Sequence, residues 1–349
     1  MISEINMLLI LGFLIVWTAL SCFVSQIKNI PKFYQIFIFI LLWLIIGLRN
    51  DVGIDYPMYK VMYDNPYHYG NYSTEPIWHI LNDSLRWFGF KSRMFFLVSS
   101  GFTMLFFYKG ISKLSPAFYA SVILFILLDF YFETSNTVRQ CAAMGALMWG
   151  YAEQQQKNYT SAVILALLAF CLHYSALFGI IFIIVSYIRI KPIHLIIAVV
   201  VSAIFGAKLM NIAINQFMPI LADIGKYTYQ VDKFDDGVST GLLKYVYTAL
   251  GIGIICFYKR LDSLSPKIYQ LINLVTIGIC LYCIFYTFQP ARRLYMYGFM
   301  FIIILLPYFF KLFKNSSRIL VTSTIYLVFL LFLIKSKLPV SYHFDFNIL

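Results

Sequence analysis

The residues of this chain best equipped for chemistry fall into four short clusters, each at the edge of an apolar stretch. The first is Arg49-Asn50-Asp51-Val52-Gly53-Ile54-Asp55-Tyr56, with Tyr59 one helical turn later. An arginine offers a planar fork of donors suited to phosphate or carboxylate. Gly53 permits a sharp turn that would bring Asp51 and Asp55 back toward Arg49. Tyr56 and Tyr59 add hydroxyls and aromatic faces of the kind that pack on sugar rings. Glu75-Pro76 then opens an amphipathic stretch, with proline at a first helical position. The second cluster runs from Glu133 through Ser135, Asn136, Arg139 and Gln140 into the small residues Ala142, Ala143, Gly145 and Ala146, which allow close helix packing. The third is His173-Tyr174-Ser175, and the fourth Gln289-Pro290-Ala291-Arg292-Arg293.

Guanidinium groups can neutralise a departing diphosphate without a metal ion. A histidine, whose ordinary pKa lies near neutrality, can take a proton from an attacking hydroxyl. Together these types suit transfer of a sugar from a lipid diphosphate to a sugar hydroxyl. Each also has a plainer reading: an interfacial ion pair for Arg49, a helix start for Glu75, a core histidine for His173. No His-Glu-x-x-His or comparable spacing points to a metal, and no cofactor is implied.

These clusters must be held by membrane helices. Of 349 residues, 61% are hydrophobic and only 12% charged, with a mean hydropathy of +0.79. A soluble fold of this size would need far more polar surface. The formal charge of +12 is spread as short basic groups between apolar stretches, which is a topological signal and not a nucleic-acid one. The six cysteines fall in or beside apolar segments and read as small hydrophobes.

Apolar segments recur near Ile5–Val24, Phe33–Leu48, Met94–Ile111, Ala117–Phe132, Val138–Tyr151 and Thr160–Leu172. Others follow near Ala176–Ile188, Ile193–Ala207, Leu242–Tyr258, Ile268–Phe288, Leu294–Phe310 and Ile319–Ile334. The expected fold is therefore an all-α integral membrane protein of about twelve transmembrane helices. The first segment follows Glu4 and no basic residue, so it reads as a retained helix and not a cleaved leader. One set of connections holds Lys28, Lys32, Lys109, Lys113, Lys157, Arg189, Lys191, Lys259, Arg260, Lys267, Lys311, Lys314 and Arg318, against Glu153 and Asp262 alone as acids. That set should be cytoplasmic, which places both termini and all four clusters on the outer face. The whole chain, 1–349, is expected as a single polytopic domain. Its outer loop 49–93 carries an amphipathic interfacial helix around Trp78 and Trp87, and a second outer loop spans 209–241. Against that frame Arg292-Arg293 is an anomaly, since paired arginines belong on cytoplasmic turns, and this favours function over anchoring.

The run Gly47 to Tyr56 with Tyr59, then Glu75-Pro76, Ser135-Asn136 through Arg139-Gln140, and His173-Tyr174-Ser175, resembles in order and type the signature of the EpsG family of membrane proteins. The match covers roughly Gly47 to Ser175. The resemblance implies a role in exopolysaccharide, capsule or O-antigen synthesis, similar to Wzy-type polymerases. Such proteins join undecaprenyl-diphosphate-linked repeat units, which serve as donor and acceptor, at the outer face of the bacterial cytoplasmic membrane. It also implies a bundle like that of GT-C membrane glycosyltransferases, with a flippase and a chain-length regulator as companions in the bilayer. On this view Arg139, Gln140, Arg292 and Arg293 hold the donor diphosphate, and Arg49 joins them or fixes Asp51 and Asp55. His173 or Asp55 is the base, Glu75 is a further candidate, and Asp51, Tyr56 and Tyr59 contact sugar. An O-antigen ligase, which differs in its acceptor, and a lipid-linked sugar transporter are the alternatives. The crowding of charge on one face speaks against the transporter.

Overall fold

A computed structural model describes residues 3–6, 12–13, 16–17, 32–66, 75–223, 241–337 and 341–344. Every expected apolar segment that lies in these residues is helical, because in hydrocarbon a chain must satisfy its own backbone polar groups. Among the described residues four helices are long and apolar enough to cross a membrane, or five if the bent pair Phe118–Leu127 and Phe130–Asn136 counts as one span. Further apolar helices, Lys32–Gly47, Tyr159–Leu172, Ala176–Ser186, Gly241–Cys256 and Tyr295–Phe310, are shorter. At about 1.5 Å per residue these fall below the roughly 30 Å of a bilayer core. Most of Ile5–Val24 lies outside the described residues. Its first two positions are not helical: Ser3–Asn6 forms a strand (β1) that pairs antiparallel with Ser341–Phe344 (β3). The other edge of β3 pairs with Arg49–Asn50 (β2), giving a small sheet in the order β1-β3-β2.

The chain divides into two compact units, Met1–Leu177 with Phe313–Leu349, and Phe178–Leu312. In the first, α1 (Lys32–Gly47) leads to β2. The outer-loop helices α2 (Tyr56–Asp64) and α3 (Pro76–Trp87) follow, then the long α4 (Ser92–Leu114). The kinked α5 (Phe118–Leu127) and α6 (Phe130–Asn136) precede α7 (Val138–Gln155) and α8 (Tyr159–Leu172). Helix α4 packs against α1 and α7, and α7 against α8. The small residues foreseen on α7 lie in these interfaces, with Ala142, Ala143 and Ala146 fully buried. The 52° bend between α5 and α6 is at Asp129, whose φ of 68° breaks the helix and whose carboxylate meets Lys337 Nζ at 2.9 Å. At the far end of α4, Glu153 is held by Lys113 at 2.8 Å, the Trp149 indole at 2.7 Å and the Asn158 amide at 2.9 Å.

The second unit takes most of α9 (Ala176–Ser186), then α10 (Pro192–Asp223), α11 (Gly241–Cys256), α12 (Tyr258–Asp262) and α13 (Ile268–Phe285). The short α14 (Gln289–Arg292), α15 (Tyr295–Phe299) and α16 (Ile302–Phe310) complete it. Helix α13 is its centre, packed on α10, α11 and α15. Gly278 and Gly298 let the backbones of α13 and α15 touch: a Cβ on Gly298 would lie 2.5 Å from the Leu274 carbonyl oxygen. Asn273 ties the unit together by donating to the Ser186 and Ile188 carbonyls at 2.9 and 2.8 Å. The helix expected to end near Ala207 runs on to Asp223, so the expected 209–241 loop begins as helix. Residues 224–240 of that loop lie outside the described residues.

Candidate active site

Three clusters that are far apart in sequence meet in the first unit. Pro76 starts α3, which leaves Glu75 at its N-cap with an extended backbone and its side chain turned inward, 3% exposed. One Glu75 oxygen accepts from Arg139 Nη1 at 2.8 Å. The other lies 2.5 Å from His173 Nδ1. Arg139 stands in the first turn of α7, where the helix dipole disfavours a cation, and the Glu75 carboxylate offsets that cost. The Arg139 guanidinium also meets the Tyr59 phenol and sits 5.8 Å from that ring's centroid. His173 is the C-cap of α8, which sets its ring at the end of that helix beside the Glu75 carboxylate.

Burial opposes the charge on Glu75, but the His173 hydrogen bond and the Arg139 charge outweigh it and hold the carboxyl at about 2. An ionised Glu75 accepts only. His173 Nδ1 is therefore the donor in this contact, which leaves Nε2 as the nitrogen with a lone pair in the matching neutral tautomer. Burial pushes the Tyr59 phenol up, against the pull of Arg139, so Tyr59 stays a neutral hydroxyl. The imidazole and guanidinium are each about a quarter exposed, 27% and 22%, so a ligand can reach both.

The Arg49 cluster is anchored on the end of α6, just before the helix that carries Arg139. Arg49 is 2% exposed. Its guanidinium donates to the Ile46 carbonyl at 2.6 Å and the Ser135 carbonyl at 3.3 Å, and it stacks 4.7 Å from the Phe96 ring centroid. Tyr56, also buried, stacks on Phe96 with centroids 4.2 Å apart and donates to Asn50 Oδ1 at 3.2 Å. The Gly53 turn docks on the α6 end, where Ile54 N–H donates to Asn136 Oδ1 at 2.8 Å. Gly53 has φ +109°, and a Cβ there would lie 2.8 Å from the Ser135 carbonyl oxygen. Gly53→Ala should therefore cost about 1–3 kcal/mol in backbone strain alone, seen as a lower melting temperature in detergent; an unchanged transition would refute the docking. Asp51 is exposed and also has a positive φ, and Asp55 is the half-buried N-cap of α2. Gln140 is buried beside Arg139.

Arg292 and Arg293 belong to the second unit. Arg292 donates to the Tyr286 carbonyl at 3.3 Å, and Arg293 is exposed. Two contributors escaped the sequence reading. Trp78, 3% exposed, donates to the Leu172 carbonyl at 2.7 Å, clamping α3 to the residue before His173. Phe96 floors the Arg49 cluster. The tryptophan's place in an amphipathic helix suggested an interface, whereas its indole N–H faces protein. Among the described residues no group of His, Cys, Asp and Glu could hold a metal ion.

The EpsG family model matches residues 32–346. The chain belongs to the EpsG family. That span takes in both units and every cluster above, far beyond the Gly47–Ser175 stretch in which the signature is legible. No curated protein and no solved structure gives a match. EpsG membership, with the apolar helices, indicates a Wzy-like polysaccharide polymerase of glycosyltransferase type, multi-pass in the bacterial inner membrane.

Proposed function

We propose that this EpsG protein lengthens a surface polysaccharide by joining undecaprenyl-diphosphate-linked repeat units at the outer face of the membrane, with His173 as general base. The observation that carries the reading is the buried Glu75 carboxylate bridging His173 Nδ1 and Arg139. His173 Nε2 takes the proton of the acceptor sugar hydroxyl as its oxygen attacks the anomeric carbon of the donor. A glycosidic C–O bond forms, the bond from that carbon to the diphosphate oxygen breaks, and the lipid diphosphate leaves with the electron pair. Glu75 holds the imidazole in the required tautomer, and Arg139 keeps Glu75 ionised while presenting positive charge to the donor phosphates. Tyr59 offers a neutral hydroxyl to sugar, and Gln140 and Asp55 lie near enough in sequence to these groups to assist. Arg292 and Arg293 serve the diphosphate, a role that rests on paired arginines at a turn. Arg49, Asp51 and Tyr56 shape the turn that carries Asp55 and Tyr59. Chain-length regulator and flippase are the expected companions.

Expressed in a cell that lacks its own copy, His173→Ala should collapse long surface chains to single repeat units. The expected loss is about 10²–10⁴-fold in polymer formed, the usual contribution of a general base. A full ladder from His173→Ala would remove the histidine from the mechanism. Loss of all surface sugar, with lipid-linked units trapped inside, would instead favour a transporter.

A further inference from the structure

The second unit carries a buried cation with no assigned task. Lys244 lies in the first turns of α11 and is 9% exposed. Its ammonium donates to the Ala203 carbonyl at 3.1 Å and faces the rings of Tyr286 and Tyr245, 4.8 and 5.1 Å from their centroids. Among the described residues no carboxylate pairs with it. A lysine has three donors, so one carbonyl and two ring faces leave both donors and charge in excess. Ionisable side chains are retained at such depth at a cost, and they mark binding sites by default. Arg292 approaches the same residue from its backbone side, donating to the Tyr286 carbonyl at 3.3 Å. The carbonyl-rich C-terminal end of α13 accounts for that arginine contact. It does not account for Lys244, which meets the Tyr286 ring.

We infer that Lys244 and Arg292, brought together about Tyr286, form a phosphoanion subsite within the second unit that takes the diphosphate of the lipid-linked donor. This rests on the lipid-diphosphate reading above and adds Lys244 to it. The two cations supply separate positive centres for a ligand with two phosphoryl groups, and Tyr286 meets both, Lys244 through its ring and Arg292 through its backbone carbonyl.

The test uses the full-length protein in detergent micelles, titrated separately with farnesyl diphosphate, inorganic diphosphate and phosphatidylglycerol. Farnesyl diphosphate should bind and raise the melting temperature. Lys244→Met should weaken that binding about tenfold or more, as for a lost charge-assisted hydrogen bond, and Lys244→Arg should stay within a few-fold of wild type. Without ligand, Lys244→Met should melt no lower than wild type, because it removes a buried charge that no carboxylate among the described residues neutralises. Equal affinity in wild type and Lys244→Met overturns the inference. So does phosphatidylglycerol binding as tightly as farnesyl diphosphate, which would assign the site to bulk lipid headgroups. If Lys244→Met does not fold, Lys244→Gln carries the same comparison. The polymerase reading is judged apart: a full ladder from His173→Ala defeats it whatever Lys244 does, and a collapsed ladder with Lys244-independent binding defeats only this subsite.

Discussion

Glu75→Gln should abolish nearly all polymer formation, by about 10²–10⁴-fold, while leaving the protein folded. The reason lies in what each end of the side chain must do. Arg139 donates to one oxygen of Glu75, and His173 Nδ1 faces the other. Glutamine has one oxygen and one NH₂. With its oxygen on Arg139 the amide presents N–H groups to His173, so Nδ1 must become the acceptor and the proton moves to Nε2. The ring then has no base where the acceptor hydroxyl would lie. The surface-polysaccharide ladder gives the readout, and a ladder of wild-type length from Glu75→Gln would show that the His173 tautomer does not matter. A pH series supplies an independent check. The folded Glu75 pKa of about 2 is below the ordinary 4.5. Its contribution to stability is therefore complete above the ordinary carboxylate range and is lost as pH falls from about 4.5 through 2. Melting temperature should drop across that window in the wild type and less so in Glu75→Gln.

Arg49→Ala should be the most destabilising single change in the first unit, by about 2–4 kcal/mol. It strips donors from two buried carbonyls, those of Ile46 and Ser135, and empties the space over Phe96. The loss should appear as a lower melting temperature and reduced abundance in the membrane. Arg49→Lys should recover only part of it, because an ammonium cannot present two parallel donors and a flat face together. Were Arg49 chiefly a phosphate ligand, Arg49→Ala would melt like the wild type and fail only in substrate binding.

Much of this was open to the sequence. In lipid the chain has few choices of backbone structure, so apolar length alone placed the helices. The positions of Arg139 and His173 at helix ends followed from where apolar runs stop. What the sequence left open was partnership. Glu75, Arg139 and His173 lie on three helices, and nothing in their spacing says that the glutamate joins the other two. Arg49 shows the converse. Its type and place beside Asp51 and Asp55 suggest an anion partner, yet its donors go to Ile46 and Ser135 carbonyls, contacts that side-chain chemistry alone does not favour. The helix limits also differ where tertiary context takes over, as at Asp129, where the chain bends, and at Ile5, where a strand partner from the C-terminal end competes with the apolar run.

The long separations within the Glu75–Arg139–His173 group have a consequence for how the protein is made. Glu75 is 64 residues from Arg139 and 98 from His173, and each sits at the end of a different helix. During synthesis the glutamate and arginine are in place before the histidine leaves the ribosome. A nascent chain halted between Arg139 and the end of α8 thus holds the carboxylate and the guanidinium but not the imidazole. The three groups can therefore come together only once the chain has been made through α8, about halfway along its 349 residues.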